Sequence, residues 1–284
     1  MILVTGAAGK TGLAVLAQLS KIDEPVRALV HKADYADSVR RAGAHDVTHG
    51  DMRDQEVMGA ALEGVHAVYH IPPNVHPAEL EIGRVIIEAA VQAGIGHFVY
   101  HSVLHPQVEA MPHHWQKMRV EEFLFTSGLE FTVLQPTAYV QNILGQWQSI
   151  YNQGYFRMPY PVETRVSLVD LEDVAEAALI VLTEDGHRGA IYELVGTSAL
   201  SQQQIAEILS TTLGKQIRAD TISIEDWERE ARKSGLSDYA IDTLIKMFRY
   251  YADYGLAGNT SVLKWLIGRP PTAYERAIRR ERKL

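Results

Sequence analysis

Gly6, Gly9 and Gly12 stand three residues apart, directly after the apolar run Met1-Ile-Leu-Val-Thr5 and directly before Leu13-Ala-Val-Leu-Ala-Gln-Leu19. Glycines at that spacing do their chemistry through the backbone. Gly6 allows a sharp turn as a strand ends, and Gly9 admits a pyrophosphate with no Cβ in the way. Gly12 lets the next helix lie close on the strand. The free N–H groups and positive dipole end of that helix then face the phosphates. With Ala8, Lys10 and Thr11 the glycines make a dinucleotide-binding loop of the GxxGxxG kind. It is not a Walker loop, because no Gly-Lys-Ser/Thr follows a four-residue gap. The bland alternative is a tight turn that binds nothing.

Such a loop needs a sheet beneath it, and the following residues supply one. Val26–Val30 reads as a second strand, ended by His31-Lys32. An acid at that point would accept the adenosine ribose hydroxyls of NAD; a lysine beside a histidine suits the 2′-phosphate of NADP instead, so NADP(H) is favoured over NAD(H). A solvated strand end is the alternative. A short helix covers 34–42 and a third strand lies within 43–50. Asp51 then either accepts from the adenine amino group, with Met52 on the ring face, or caps the helix starting near Asp54. His66–Ile71 is a fourth strand, stopped by Pro72-Pro73; Ile71, Pro72 and Pro73 can lie alongside the cofactor. A long amphipathic helix over 77–93, a fifth strand over 97–102 and a sixth over 131–135 complete the alternation. Strands alternating with helices predict an α/β fold: a Rossmann-type, doubly wound parallel sheet with right-handed crossovers and strand order 3-2-1-4-5-6.

The second half is less regular. The residues predict a helix over 136–151, an extended segment at 166–170 and a helix over 172–182. They also predict a last strand of the large sheet at 190–195 and a helix over 203–213 capped by Ser201. A short strand near 218–222, further helices to about Tyr251 and a tail helix from Thr272 follow. We expect an NAD(P)-binding domain over 1–153, completed by roughly 166–197, and a smaller C-terminal α/β substrate domain from 154–165 and 198–284.

Composition narrows the function classes. Net charge is −8 and 46% of residues are hydrophobic, which suits a packed core and argues against a nucleic-acid surface. The basic cluster Arg276, Arg279, Arg280, Arg282 and Lys283 reads as the solvated face of a last helix. Cysteine is absent, so disulfides, thiolate metal sites and a cysteine nucleophile are excluded. No stretch resembles a membrane span and the chain opens on a strand, so the expectation is a cytoplasmic protein without a membrane partner. The histidines His97, His101, His105, His113 and His114 invite a metal reading. No acidic ligand or HExxH pattern accompanies them, so no metal is expected.

The chain resembles the NmrA-like branch of the atypical short-chain dehydrogenase/reductase superfamily over nearly its whole length. The resemblance rests on Val4-Thr-Gly-Ala-Ala-Gly-Lys-Thr-Gly12, Gly50-Asp51, Lys117 with Glu121, and Ser127-Gly-Leu-Glu-Phe-Thr-Val-Leu-Gln-Pro136. Tyr139 to Asn142, Val169-Asp-Leu-Glu-Asp-Val-Ala175 and Gly258 to Thr272 extend it. It implies an NADPH-dependent reductase acting on a quinone, carbonyl or conjugated aromatic compound. Its alternative is a non-catalytic NAD(P)-sensing regulator that binds a protein partner, and a homodimer is left open. The parent superfamily uses a tyrosine and a lysine four residues apart on one helix. Here the lysine is Lys117, and His113 stands where the tyrosine would be. Lys117 should then contact the cofactor ribose. His113 either donates a proton or is a polar helix-start residue. Ser102 is either the superfamily's catalytic serine or a strand-end hydroxyl satisfied by backbone. Pro136 joins the cofactor side. Trp115, Tyr139, Trp147, Tyr155 and Phe156 could line an apolar substrate pocket, or serve as glue between the domains.

Overall fold

The computed structural model describes residues 1–283. The apolar opening run forms β1 (Ile2–Val4), and the glycine turn leads into α1 (Lys10–Leu19). Then come β2 (Val26–Val30), α2 (Ala36–Arg41), β3 (Asp46–His49), α3 (Gln55–Leu62), β4 (Ala67–His70) and α4 (Glu79–Gln92). β5 (His97–His101), α5 (Pro112–Phe125) and β6 (Phe131–Pro136) follow. β1 pairs in parallel with β2 and β4, and the β2–β3, β4–β5 and β5–β6 pairs are parallel too.

Beyond β6 the elements shorten: β7 (Ala138–Tyr139), β8 (Tyr155–Met158), β9 (Arg165–Val166), β10 (Leu168–Val169), α6 (Leu171–Thr183) and β11 (Ala190–Leu194). The last of these joins the large sheet beside β6, giving the order β11-β6-β5-β4-β1-β2-β3. The expected order is therefore present, and the last strand expected at 190–195 takes the edge beside β6. β12 (Leu200–Ser201), α7 (Gln202–Leu213), β13 (Arg218–Thr221), α8 (Ile224–Lys233), α9 (Asp238–Tyr254), α10 (Thr260–Leu266) and α11 (Tyr274–Arg282) finish the chain.

The chain divides into two compact units. The first comprises Met1–Gln107, His114–Gln135 and Val174–Tyr192. Its core packs Leu3, Val68, Phe98, Tyr100 and Val133 of the sheet with Ile82, Ile86 and Ile87 of α4 and Val120 and Leu124 of α5. The α4 residues recur at helical spacing, so one face buries. The second unit comprises Val108–His113, Pro136–Asp173 and everything from Glu193 onward. Here β8 pairs with β13, β7 with β10 and β9 with β12, while α7 and α11 pack Ile205, Leu209, Ala277 and Ile278 together. Ser201 caps α7, as its sequence announced, and Gln204 completes a capping box with it.

Two expectations fail here. Residues 136–151 form no α-helix: a 3-10 stretch covers Val140–Gln146 and a π turn covers Ser149–Gln153. Val140 and Ile143 are spaced by three, the 3-10 period, and both bury with Ile150 in the second unit's core. That burial is also why 136–153 group with the second unit rather than with the sheet. The basic tail is not merely solvated either, because Arg280 grips a buried aspartate, Asp170, with two hydrogen bonds of 2.7 Å. Among the described residues no helix is long and apolar enough to cross a membrane.

Candidate active site

The glycine loop has the geometry its spacing requires. Gly6 sits at φ +60°, and a Cβ there would lie 2.6 Å from the carbonyl oxygen of Ile71. A Cβ on Gly12 would lie 2.5 Å from the backbone of Ala7, so α1 can approach only as glycine. Gly9 is exposed and meets nothing closer than the Gly6 oxygen at 3.3 Å. It caps α1 without a side-chain acceptor, and no acid stands in the first turn. By contrast α3, α8, α9 and α10 are capped by Asp54, Ser223, Ser237 and Asn259. The start of α1 thus holds neither a capping side chain nor an acid to compete with an anion, and the loop fits a dinucleotide pyrophosphate.

Thr5 and His70 fix the loop's entrance. The Thr5 hydroxyl is 2.7 Å from His70 Nδ1 and accepts the Ile71 N–H at 3.1 Å, tying the end of β1 to the end of β4. Pro72 is buried and Pro73 half-buried just beyond. In the same loop Val75 holds φ +45°, a conformation a β-branched residue rarely adopts. His31 and Lys32 are exposed at the end of β2, the His31 ring 5.2 Å from that of Tyr35.

One of the two expectations for Asp51, the helix cap, fails. Asp54, not Asp51, caps α3, accepting from the N–H groups of Glu56 and Val57. The Asp51 carboxylate receives the Arg53 guanidinium at 2.6 Å and the Arg53 N–H at 2.9 Å, which hold it down at about 2. Met52 packs against the apolar core, because a side chain beside α3 gains more from that burial than from exposure.

Around Lys117 the structure assembles a buried polar group. Lys117 donates to Glu79 Oε1 at 2.6 Å; Glu79 is 1% exposed. Tyr100 donates to the same oxygen at 3.4 Å, and the ammonium lies 6.0 Å from the Tyr100 ring centre. His70 stacks on Tyr100, the two ring centres 5.8 Å apart. His101 is hydrogen-bonded to Tyr69 at 2.7 Å. Burial, reinforced by the charge of Lys117, pushes both His70 and His101 down to about 3, so each is neutral near pH 7.

Ser102 has a different employment from the one its position suggests. It is buried and donates to Glu121, which also accepts Gln135 Nε2 at 3.0 and 3.1 Å. Its hydroxyl proton is therefore committed to a carboxylate, and Ser102 orients that carboxylate rather than a reactant. Burial raises Glu121 against these donors. His113 stands in the first turn of α5. Its neighbour His114 is 1% exposed, lies 3.3 Å from the His105 carbonyl through Nδ1 and is pushed by burial to about 4. Trp115 is half-buried, and Pro136 is the buried last residue of β6.

The other pocket residues belong to the second unit. Phe156 lies in that unit's core and is 6% exposed, so its ring is spent on folding. Trp147 packs on the same core, stacks on Tyr151 and carries the Arg282 guanidinium 4.3 Å over its ring. Tyr155 carries Arg157 at 4.5 Å. Tyr139 is half-buried on β7. Of the histidines considered as metal ligands, His97 bonds Thr132 at 2.9 Å, and among the described residues no cluster of three metal-ligating side chains occurs.

The pattern of the NmrA-like family matches residues 1–274. The chain belongs to that family. It is 30% identical over 279 residues to the NAD(P)H azoreductase of Xenophilus azovorans, covering 96% of this chain and 95% of that protein. It is 28% identical over 280 residues to quinone oxidoreductase 2 of Escherichia coli (strain K12), covering 98% and 97%. The crystal structure of the NADPH-dependent quinone oxidoreductase of E. coli complexed with NADPH superimposes with a TM-score of 0.87, covering 99% of each chain at 28% identity.

Three motifs that carried the family resemblance turn out to bind one another within the second unit. Gln141 and Arg280 both hold Asp170, while Asp173 accepts Arg269 at 2.7 Å and the Thr272 N–H at 2.6 Å. These motifs specify a fold lock, which explains why none of them names a substrate. The residues that sequence reasoning missed are Thr5, His70, Glu79 and Gln135. Glu79 reads locally as an acid favoured by the α4 dipole; its partner is 38 residues away.

Proposed function

We propose that the protein is an NADPH-dependent reductase that passes a hydride to a quinone, a carbonyl or a conjugated aromatic compound. The observation that carries this reading is the start of α1: three glycines fixed by close backbone approach, no side-chain cap and no acid in the first turn. Relatives named as an NAD(P)H azoreductase and a quinone oxidoreductase, matched over nearly the full chain, support it.

In this reading Gly6, Ala8, Gly9, Lys10, Thr11 and Gly12 bind the pyrophosphate through backbone N–H groups. His31 and Lys32, exposed beyond β2, meet the 2′-phosphate and favour NADPH over NADH. Ile71, Pro72 and Pro73 offer the cofactor a rigid backbone beyond β4, and Pro136, the last residue of β6, joins the cofactor side. Bound NADPH would supply the hydride. Lys117 donates hydrogen bonds that fix the nicotinamide ribose, and His113 or water delivers the proton. His101 and His70 are neutral at pH 7 and leave the charge at this site to the lysine and its partner.

The test is NADPH oxidation against a panel of quinones and azo or triphenylmethane dyes. Wild-type protein turns over at least one acceptor, and Lys117→Ala lowers kcat/KM by about 100-fold, the scale of a lost positioning group. Tight NADPH binding with no turnover on the whole panel would refute the reductase.

A further inference from the structure

We infer that Glu79 is a positioning residue for Lys117: its buried carboxylate holds the ammonium as a fixed hydrogen-bond donor, and so sets nucleotide affinity. This assignment rests on the reductase reading for what Lys117 binds; the pairing itself does not.

The two side chains form an unequal pair. Lys117 is 13% exposed and Glu79 1% exposed, at 2.6 Å. A cation so nearly buried is tolerated only beside a counter-charge. The groups facing the ammonium are few. From β4 comes His70, from β5 Tyr100 and His101, from α4 Glu79, and from its own helix His114 and Glu121. The histidines are pushed down to about 3 or 4 and carry no charge near neutrality. Glu121 stands one helical turn from Lys117, but Ser102 and Gln135 already occupy its oxygens. Glu79 alone among these groups supplies a carboxylate bonded to the lysine.

Glu79 is itself built in rather than placed by chance. Tyr100 donates to the same Oε1, and Oε2 is buried with no hydrogen-bond partner. A carboxylate held at that desolvation cost on the first turn of α4 serves its one strong partner. The consequence for chemistry follows from charge. In a tyrosine–lysine site the unpaired cation draws a proton off the phenol. Here position 113 is histidine, and the lysine's field is cancelled at 2.6 Å. Lys117 retains directed N–H donors without a net local charge, which suits holding ribose hydroxyls and not activating an acid.

The experiment compares wild type, Glu79→Gln, Lys117→Met and the double variant. NADPH affinity is read by calorimetry, and the reactivity of the Lys117 amine by acetic anhydride labelling of the ligand-free protein. Glu79→Gln weakens NADPH binding about tenfold in the wild-type background, the loss of one charged hydrogen bond, and leaves it within twofold in the Lys117→Met background. Its Lys117 amine labels severalfold faster, and Glu79→Asp restores part of both properties. An equal loss of affinity in both backgrounds, or unchanged labelling, overturns the assignment. Should Glu79→Gln not fold, Glu79→Asp takes its place in the same cycle, since a shortened carboxylate must also loosen the amine. If wild-type protein binds neither NADPH nor NADH, the reductase reading and the affinity role fall together, while labelling still decides whether Glu79 holds Lys117.

Discussion

The first unit buries imidazoles, and the second buries aspartates. In the sheet unit His70, His97, His101 and His114 are at most 7% exposed. Burial, the largest influence on each, pushes them down to between about 3 and 4. In the second unit Asp170 and Asp173 are fully buried and gripped by Arg280 and Arg269. Burial works to raise Asp170, but Arg280 and Gln141 together outweigh it and leave it below its ordinary value. The first solution keeps polar groups uncharged, while the second keeps the charge and supplies its partner. One is cheap at pH 7 and fails in mild acid; the other tolerates acid but depends on a single arginine.

Acid should expose this difference most strongly. Each of the four histidines has a folded pKa below its unfolded value of 6.5, so the unfolded chain takes up protons first as pH falls. Their contribution is present above about pH 6.5 and is lost below it, at up to about 1 kcal/mol per histidine per pH unit. Asp170 has its folded pKa lowered, so its contribution persists until pH falls below the ordinary carboxylate range. Hydrogen exchange at pH 5 should show β4 and β5 losing protection while α7 and α11 keep theirs. Simultaneous loss would break the contrast.

Removing the arginine is the next largest perturbation. Arg280→Ala leaves the carboxylate of Asp170 buried with the Gln141 amide and the Glu172 N–H but no cation, and should cost about 3 kcal/mol in urea unfolding at pH 7. A cost below about 1 kcal/mol would mean that water reaches Asp170 and that the lock is shallow. Gly12→Ala in the first unit forces a Cβ against the Ala7 backbone; about 2 kcal/mol of stability should go, together with NADPH binding in the same calorimetric assay. Caps should not distinguish the units at all. Asp54→Ala on α3 and Ser201→Ala on α7 should each cost about 1 kcal/mol in thermal unfolding. A clear inequality between them would show that one helix end has support beyond its cap.

Much of the first unit was legible because its signals are local. A β-branched run, three glycines and a helical repeat lie within twenty residues, and each later strand carries its own apolar stretch and breaker. The cap at Ser201 is equally local. Residues 136–153 misled because a spacing of three suits a 3-10 turn, which overlaps with helical periodicity over so short a stretch. The cap that Asp51 offered fell to Asp54, because two carboxylates three residues apart ahead of one helix look alike until the Arg53 guanidinium is placed.

The amino-acid order alone announced the parallel sheet, its strand order and the glycine turn, because periodicity, turn chemistry and glycine sterics act over a few residues. Lys117 was placed on a helix by the family resemblance instead, since α5 carries no clear apolar stripe. Folding in three dimensions set Lys117 against Glu79, let Ser102 donate its hydrogen bond to Glu121, and brought Arg280 to Asp170. Each of these pairs joins separate elements, and desolvation leaves a buried charge no neighbour but the one the fold delivers.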